Sequence, residues 1–237
     1  ITFPSTLTEI GDYAFQDCHE LREMVLNEGL EKIGNSAFRG CRSLEGITFP
    51  STLTEIGYCA FKSCNELREV VINEGLKKIW AQAFWDCRSL EGIAFPSTLT
   101  EIGDLAFCGC DELREAVLNE GLRKIGEDAF RACPSLEGIT FPSTLIEVDA
   151  AAFAHCDELR EVVLNEGLQK IGKHAFRNCR SLEGIMCPST LTEIGDLAFY
   201  CCHELREAVL NEGLKKIGED AFCACRHLEG ITFPSTL

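Results

Sequence analysis

The chain is predicted to be a repeat solenoid, a coil in which each turn packs only on its two neighbours. Three observations predict it. Residues 1–23 align without a gap on 24–46, 47–69, 70–92 and the units that follow, giving ten full units and a partial eleventh, 231–237, that repeats the opening ITFPSTL. A fixed period of about 20 to 50 residues marks stacked supersecondary units. The same apolar phase recurs in every unit, and one stretch per unit alternates with period two, as a strand does. All 237 residues therefore read as one elongated domain rather than two globular ones.

Numbered 1 to 23 from Ile1, each unit begins with a strand. Leu21-x-x-Met24-x-Leu26 and Leu44-x-x-Ile47-x-Phe49 turn positions 1 and 3 inward and positions 23, 2 and 4 outward. The outward set forms one flat face carrying Glu23, Val25 and Asn27; Thr48; Glu69, Val71 and Asn73; Glu115, Val117 and Asn119; and Glu161, Val163 and Asn165. That face is the candidate partner-binding surface, weighed against a merely solvated sheet. Pro or Asn at position 4 ends the strand, because proline cannot donate to a ladder. Leu at position 7 and Ile or Val at position 10 point inward. Gly at position 11 suits a tight turn. A short helical turn is expected to carry Ala14, Phe15 and Cys18 on its inner side.

The Ala-Phe-x-x-Cys signature, the Ile-Gly that starts four residues before it and the Leu-x-x-Leu-x-Leu strand resemble BspA-like, or treponemal-type, leucine-rich repeats, in every unit. The resemblance implies a leucine-rich-repeat-like right-handed coil, with a parallel β-sheet on one face and short helical turns or loops on the other. It also implies a secreted or cell-surface protein, since many such proteins are similar to adhesins for host or matrix proteins. One departure is a strict two-unit alternation. Odd units read P-S-T-L and even units N-E-G-L, a 46-residue superperiod that points to recent duplication or a consensus-like array.

The alternation extends to charge. Position 9 runs Glu9, Lys32, Glu55, Lys78 and onward; position 22 runs Arg22, Glu45, Arg68, Glu91. With coils about 4.8 Å apart, each position becomes a ladder of alternating sign that holds register. The acidic excess, 38 Asp and Glu against 22 Lys and Arg for a net charge of −16, concentrates at positions 23, 5 and 20 of alternate units. Such a surface repels nucleic acid and anionic membranes, so neither is expected as a partner. No apolar run approaches the roughly 18 residues of a membrane span.

Ten of the 15 cysteines occupy position 18, in phase with the core, and read as buried, reduced thiols. In-register Cβ vectors run parallel, which disfavours disulfides between coils. Cys187 takes the place of a position-3 Phe and belongs to the core. Cys59, Cys108, Cys201 and Cys223 are expected to be outer, reactive thiols. The five histidines and the Cys201-Cys202-His203 run do not converge, so no metal site is expected. No phosphate loop, nucleophile elbow or other catalytic motif is present, and no cofactor is implied. Tyr58, Trp80 and Trp85 fall at variable positions of adjacent units, and Trp80 displaces a repeated Gly. Clustered exposed aromatics are typical binding anchors, set against packing of a larger side chain over a turn.

The first residue is not Met, and both ends fall at one phase of the repeat. The chain therefore reads as a fragment of a longer array without its own caps. The expectation is a non-catalytic, adhesin-like module binding protein partners through the strand face or the aromatic edge. The alternative is a structural array that forms homo-oligomers by stacking end to end. An intracellular setting stays open, because reduced core thiols suit it.

Overall fold

A computed structural model describes residues 1–232; residues 233–237, most of the partial eleventh unit, lie outside the described residues. The chain forms a parallel β-solenoid with one 23-residue unit per turn. Strands from Gly46–Phe49 to Glu161–Val163 build a six-stranded parallel sheet, and Gly184–Met186, Glu207–Val209 and Gly230–Thr232 build a three-stranded one. Register is kept throughout, with Ile47 opposite Val70 and Val209 opposite Thr232.

A second sheet, not evident in the sequence, lies on another side of the coil. Ten two-residue strands, from Glu9–Ile10 to Lys216–Ile217, pair in one continuous parallel ladder. It carries the position-9 charges. Lys32 meets Glu9 at 3.0 Å, Lys78 meets Glu101 at 3.0 Å and Lys216 meets Glu193 at 2.7 Å. The position-22 ladder behaves differently. Its arginines turn to position 20 of their own coil, as in Arg68–Glu66 at 3.6 Å and Arg160–Glu158 at 3.4 Å. These pairs are exposed or half-exposed and worth at most about 1 kcal/mol each.

Among the described residues there is no helix; the segment around Ala14, Phe15 and Cys18 is a run of turns. Positions 13 and 17 take left-handed backbone, as at Tyr13 (φ 60°) and Asp17 (φ 57°). Alternate amides are thereby aimed along the stack. Tyr13 N, Phe15 N and Asp17 N donate to Asn35 O, Ala37 O and Arg39 O of the next coil at 2.7–2.9 Å. The amides between them, Ala14, Gln16 and Cys18, close turns on Gly11, Tyr13 and Phe15. Left-handed conformation costs a non-glycine residue about 1–2 kcal/mol, and the cross-coil bonds it permits offset that cost. A helix would satisfy its amides internally and leave the stack without this ladder.

The core is a column of phenylalanines. Phe15, Phe38, Phe61, Phe84, Phe107, Phe130, Phe153, Phe176, Phe199 and Phe222 stack face to face with centroids 5.1–5.5 Å apart. In alternate coils Phe49 and Phe95 meet the column edge-on. Each buried position-18 thiol donates to a Phe carbonyl of the coil before it: Cys64 Sγ to Phe38 O and Cys87 Sγ to Phe61 O, both 3.2 Å. That bond requires the thiol proton, and burial pushes these thiols well above the ordinary cysteine value.

Cys187 is buried where the sequence places it. Cys59 is also buried, with Sγ donating to Gln82 Oε1 at 3.3 Å, which corrects its reading as an outer thiol. Cys108 is half-buried and pushed up to about 12 by that burial. Cys223 is exposed and Cys201 half-buried; Cys18 is exposed and Cys225 half-buried, which corrects their reading as buried, because their coils are not covered by a full described coil on both sides. Brief alkylation of the native protein, followed by mass spectrometry, should label Cys18 and Cys223 first and Cys64 and Cys87 only after unfolding. Early labelling of Cys64 would contradict this packing.

The two-unit alternation is a lock between coils. Ser97 gives both its amide and its hydroxyl to Glu74 of the preceding coil at 3.1 Å, and Ser143 does the same to Glu120 at 3.0 Å. The backbone bond from Ser97 is the leading cause that holds Glu74 below its ordinary range. Thr144 Oγ1 accepts from Gly121 N at 3.0 Å and donates to Leu122 O at 2.8 Å. The position-5 glutamates Glu74 and Glu120, part of the acidic excess, are thus partners of the next coil rather than a free stripe.

Candidate interaction surfaces

The strand face displays two rows. Position 23 carries Glu23, Glu69, Glu115, Glu161 and Glu207, all exposed or nearly so because a residue flanking the inward position 1 must point out. Among the described residues none of these five carboxylates makes an ion pair, whereas the nearby position-20 glutamates are matched by arginines. Beside them, position 2 exposes Val25, Val71, Val117 and Val163, with Thr48 and Thr140 between. Met186 continues this apolar row and is 66 % exposed.

Sequence reasoning did not single out Met186. Its signal is the replacement of the Thr or Val that most other units carry at position 2. The ladder between the two front sheets is interrupted just there, between Glu161–Val163 and Gly184–Met186. A shallow groove of about 590 Å³ opens at that break, lined by Val163, Met186 and Val209 with Glu161, Glu183 and Glu207 around them.

The asparagines of this face are turned back. The side-chain amides of Asn73, Asn119 and Asn165 donate to the carbonyls of Phe49, Phe95 and Phe141 in the preceding coil. They close the strand exit, the task that proline performs in the odd units.

The aromatic set divides. Tyr58 and Trp80 line one groove of about 480 Å³ on the side of the second sheet. Trp85 stands apart from it, half-buried, with Lys62 Nζ 3.6 Å from its ring centroid. The glycine at position 11 is required by crowding between coils. A Cβ on Gly57 would meet the Gly34 carbonyl carbon at 2.7 Å. Trp80 and Asp149 are the exceptions to that glycine. Among the described residues, no group of three or more His, Cys, Asp or Glu side chains is arranged to hold a metal ion.

The family model of the BspA type leucine rich repeat region (6 copies) matches residues 1–114, 31–159 and 123–237. The chain belongs to the BspA-type leucine-rich repeat family. A leucine-rich repeat protein from Bacteroides ovatus is 28% identical to this BspA-type chain, with a TM-score of 0.87 over 99% of this chain and 63% of that one. The pneumococcal vaccine antigen PcpA is 27% identical, with a TM-score of 0.67 over 100% of this chain and 62% of that one. The T. pallidum leucine rich repeat protein is 30% identical, with a TM-score of 0.62 over 77% and 81%. The chain thus spans less than two thirds of the length of the first two. No curated protein sequence matches it. No helix of the described residues is long and apolar enough to cross a membrane.

Proposed function

We propose that the strand face is a docking surface for a basic protein partner, in a non-catalytic, adhesin-like protein of the cell surface or secreted space. The observation that carries this is the row of glutamates at position 23. They recur every second coil beside an exposed valine row and have no cationic neighbour at ion-pair distance among the described residues. Glutamates at positions 20 and 5 are matched by arginine or serine, as at Glu66, Glu112, Glu74 and Glu120, so this row is available to a partner's cations. Apolar contact on the valines would supply affinity, and the glutamates steering and orientation. The bacterial leucine-rich repeat proteins it resembles, one of them a vaccine antigen, support the surface setting.

The test is binding to a panel of immobilised matrix proteins and lysine-rich peptides at several salt concentrations. The triple variant Glu69→Gln, Glu115→Gln, Glu161→Gln should weaken binding about tenfold or more and flatten its salt dependence. Its melting should stay unchanged, since none of the three carboxylates makes an ion pair in the fold. Equal binding by the variant and the parent would remove the strand face as the docking surface.

A further inference from the structure

The groove beside Trp80 has a construction of its own. Its floor is bare backbone at Gly34 and Gly57, kept free of side chains by the close approach of the coils. Trp80 stands at its end as a wall, 42 % exposed, with Tyr58, 44 % exposed, alongside. The indole is fixed in orientation, because Nε1 donates to Glu55 Oε2 at 3.1 Å. One of its faces is taken by Lys78, whose Nζ lies 3.9 Å from the ring centroid and pairs with Glu101 of the following coil. The other groove residues all come from the two preceding coils, and the indole face opposite Lys78 carries no cation.

The rim supplies hydrogen-bonding groups of both kinds. Glu55 is a member of the position-9 ladder, yet among the described residues it makes no ion pair. Lys32 and Lys78 on either side reach Glu9 and Glu101 instead. Its carboxylate, with two oxygens, therefore keeps acceptor capacity beyond the one bond from the indole. Lys32 carries three donors, of which Glu9 takes one. The lysine charges are matched by Glu9 and Glu101, and Glu55 is the one rim charge without an ion pair among the described residues.

A flat apolar face, with donors and acceptors at its edge, matches a ring that has a C–H face and a rim of hydroxyls. We propose that this groove binds a neutral sugar ring of an oligosaccharide. The C–H face lies on the exposed side of Trp80, and the hydroxyls bond Glu55 and Lys32. An anion would meet the Glu55 carboxylate, and an aliphatic chain would leave Glu55 and Lys32 without partners. The volume of about 480 Å³ lies within the usual range for small-ligand sites. The site is independent of what docks on the strand face.

An array of immobilised neutral and anionic oligosaccharides tests this first. A retained sugar is then titrated by fluorescence against the Trp85→Phe variant, in which Trp80 is the sole tryptophan. Retention of neutral glycans and a saturable change in Trp80 emission are expected. Trp80→Gly, which restores the residue other coils carry, should lower binding about tenfold or more without altering the melt. Glu55→Gln keeps an acceptor oxygen and should stay within about threefold of the parent. The proposal fails if no neutral glycan is retained, if Trp80→Gly binds as well as the parent, or if only charged ligands or basic peptides bind and Glu55→Gln abolishes them. The strand-face triple variant should bind the sugar normally, so the two readings stand or fall separately.

Discussion

Phe107→Ala is expected to destabilise the protein by about 3–5 kcal/mol and to divide its unfolding into two steps. Phe107 is fully buried, stacked between Phe84 and Phe130 at 5.2 Å on each side and met edge-on by Phe95 at 5.5 Å. Removing the ring opens a void that the neighbours cannot fill. Each coil is held in place by backbone ladders to the coils before and after it. The break falls near the middle of the column. In a solenoid, stability is a sum of coil terms and nearest-neighbour interfaces, so weakening one interface uncouples the two sides. Calorimetry should show a second transition, and hydrogen exchange should show the coils around residue 107 opening first. A single transition at the parent temperature would contradict the additive picture.

Gly121→Ala should be among the most damaging of the small substitutions, by about 2–4 kcal/mol from backbone strain and overpacking together. Gly121 has φ +116°, a conformation that L side chains rarely adopt, and a Cβ there would run into the carbonyl of Ser97 in the preceding coil. Its amide is held by Thr144 Oγ1 of the following coil, so the chain cannot swing aside without losing that bond. Gly138→Ala is the control. It lies in a front strand, where the nearest atom to an added Cβ is Glu161 O at 3.6 Å, and should cost little or even stabilise. Equal melting temperatures for the two variants would refute the steric account.

Gly121 also shows why the superperiod exists. Seen as sequence, P-S-T-L and N-E-G-L look like two duplicated variants of one unit. In the structure they are complementary halves: Glu accepts from Ser, Gly donates to Thr, and Asn takes over the strand exit that Pro makes. A glutamate at position 5 or position 23 looks alike in the sequence. Only the stacked coils reveal that Glu74 is bonded by Ser97 whereas Glu69 is left to solvent. The position-22 arginines pair within their own coil, not along the stack. They face glutamates both along their own coil and across to the next, and side-chain reach decides in favour of their own coil.

What the sequence determined by itself is the architecture: the 23-residue turn, the inward set at positions 1, 3, 7, 10, 14, 15, 18 and 21, the front strands and the buried cysteine column. These follow from periodicity, because identical units stacked in register bury the same positions in every coil. The tertiary structure alone decided the second sheet, the turns in place of a helix, the burial of Cys59 and the parting of Trp80 from Trp85. At position 13 the residues include Tyr13, Gln82 and Leu105, none of which favours left-handed backbone by itself. Their conformation is imposed by the carbonyls of the neighbouring coil that their amides reach, 22 residues on in sequence, and an isolated coil has no such partner.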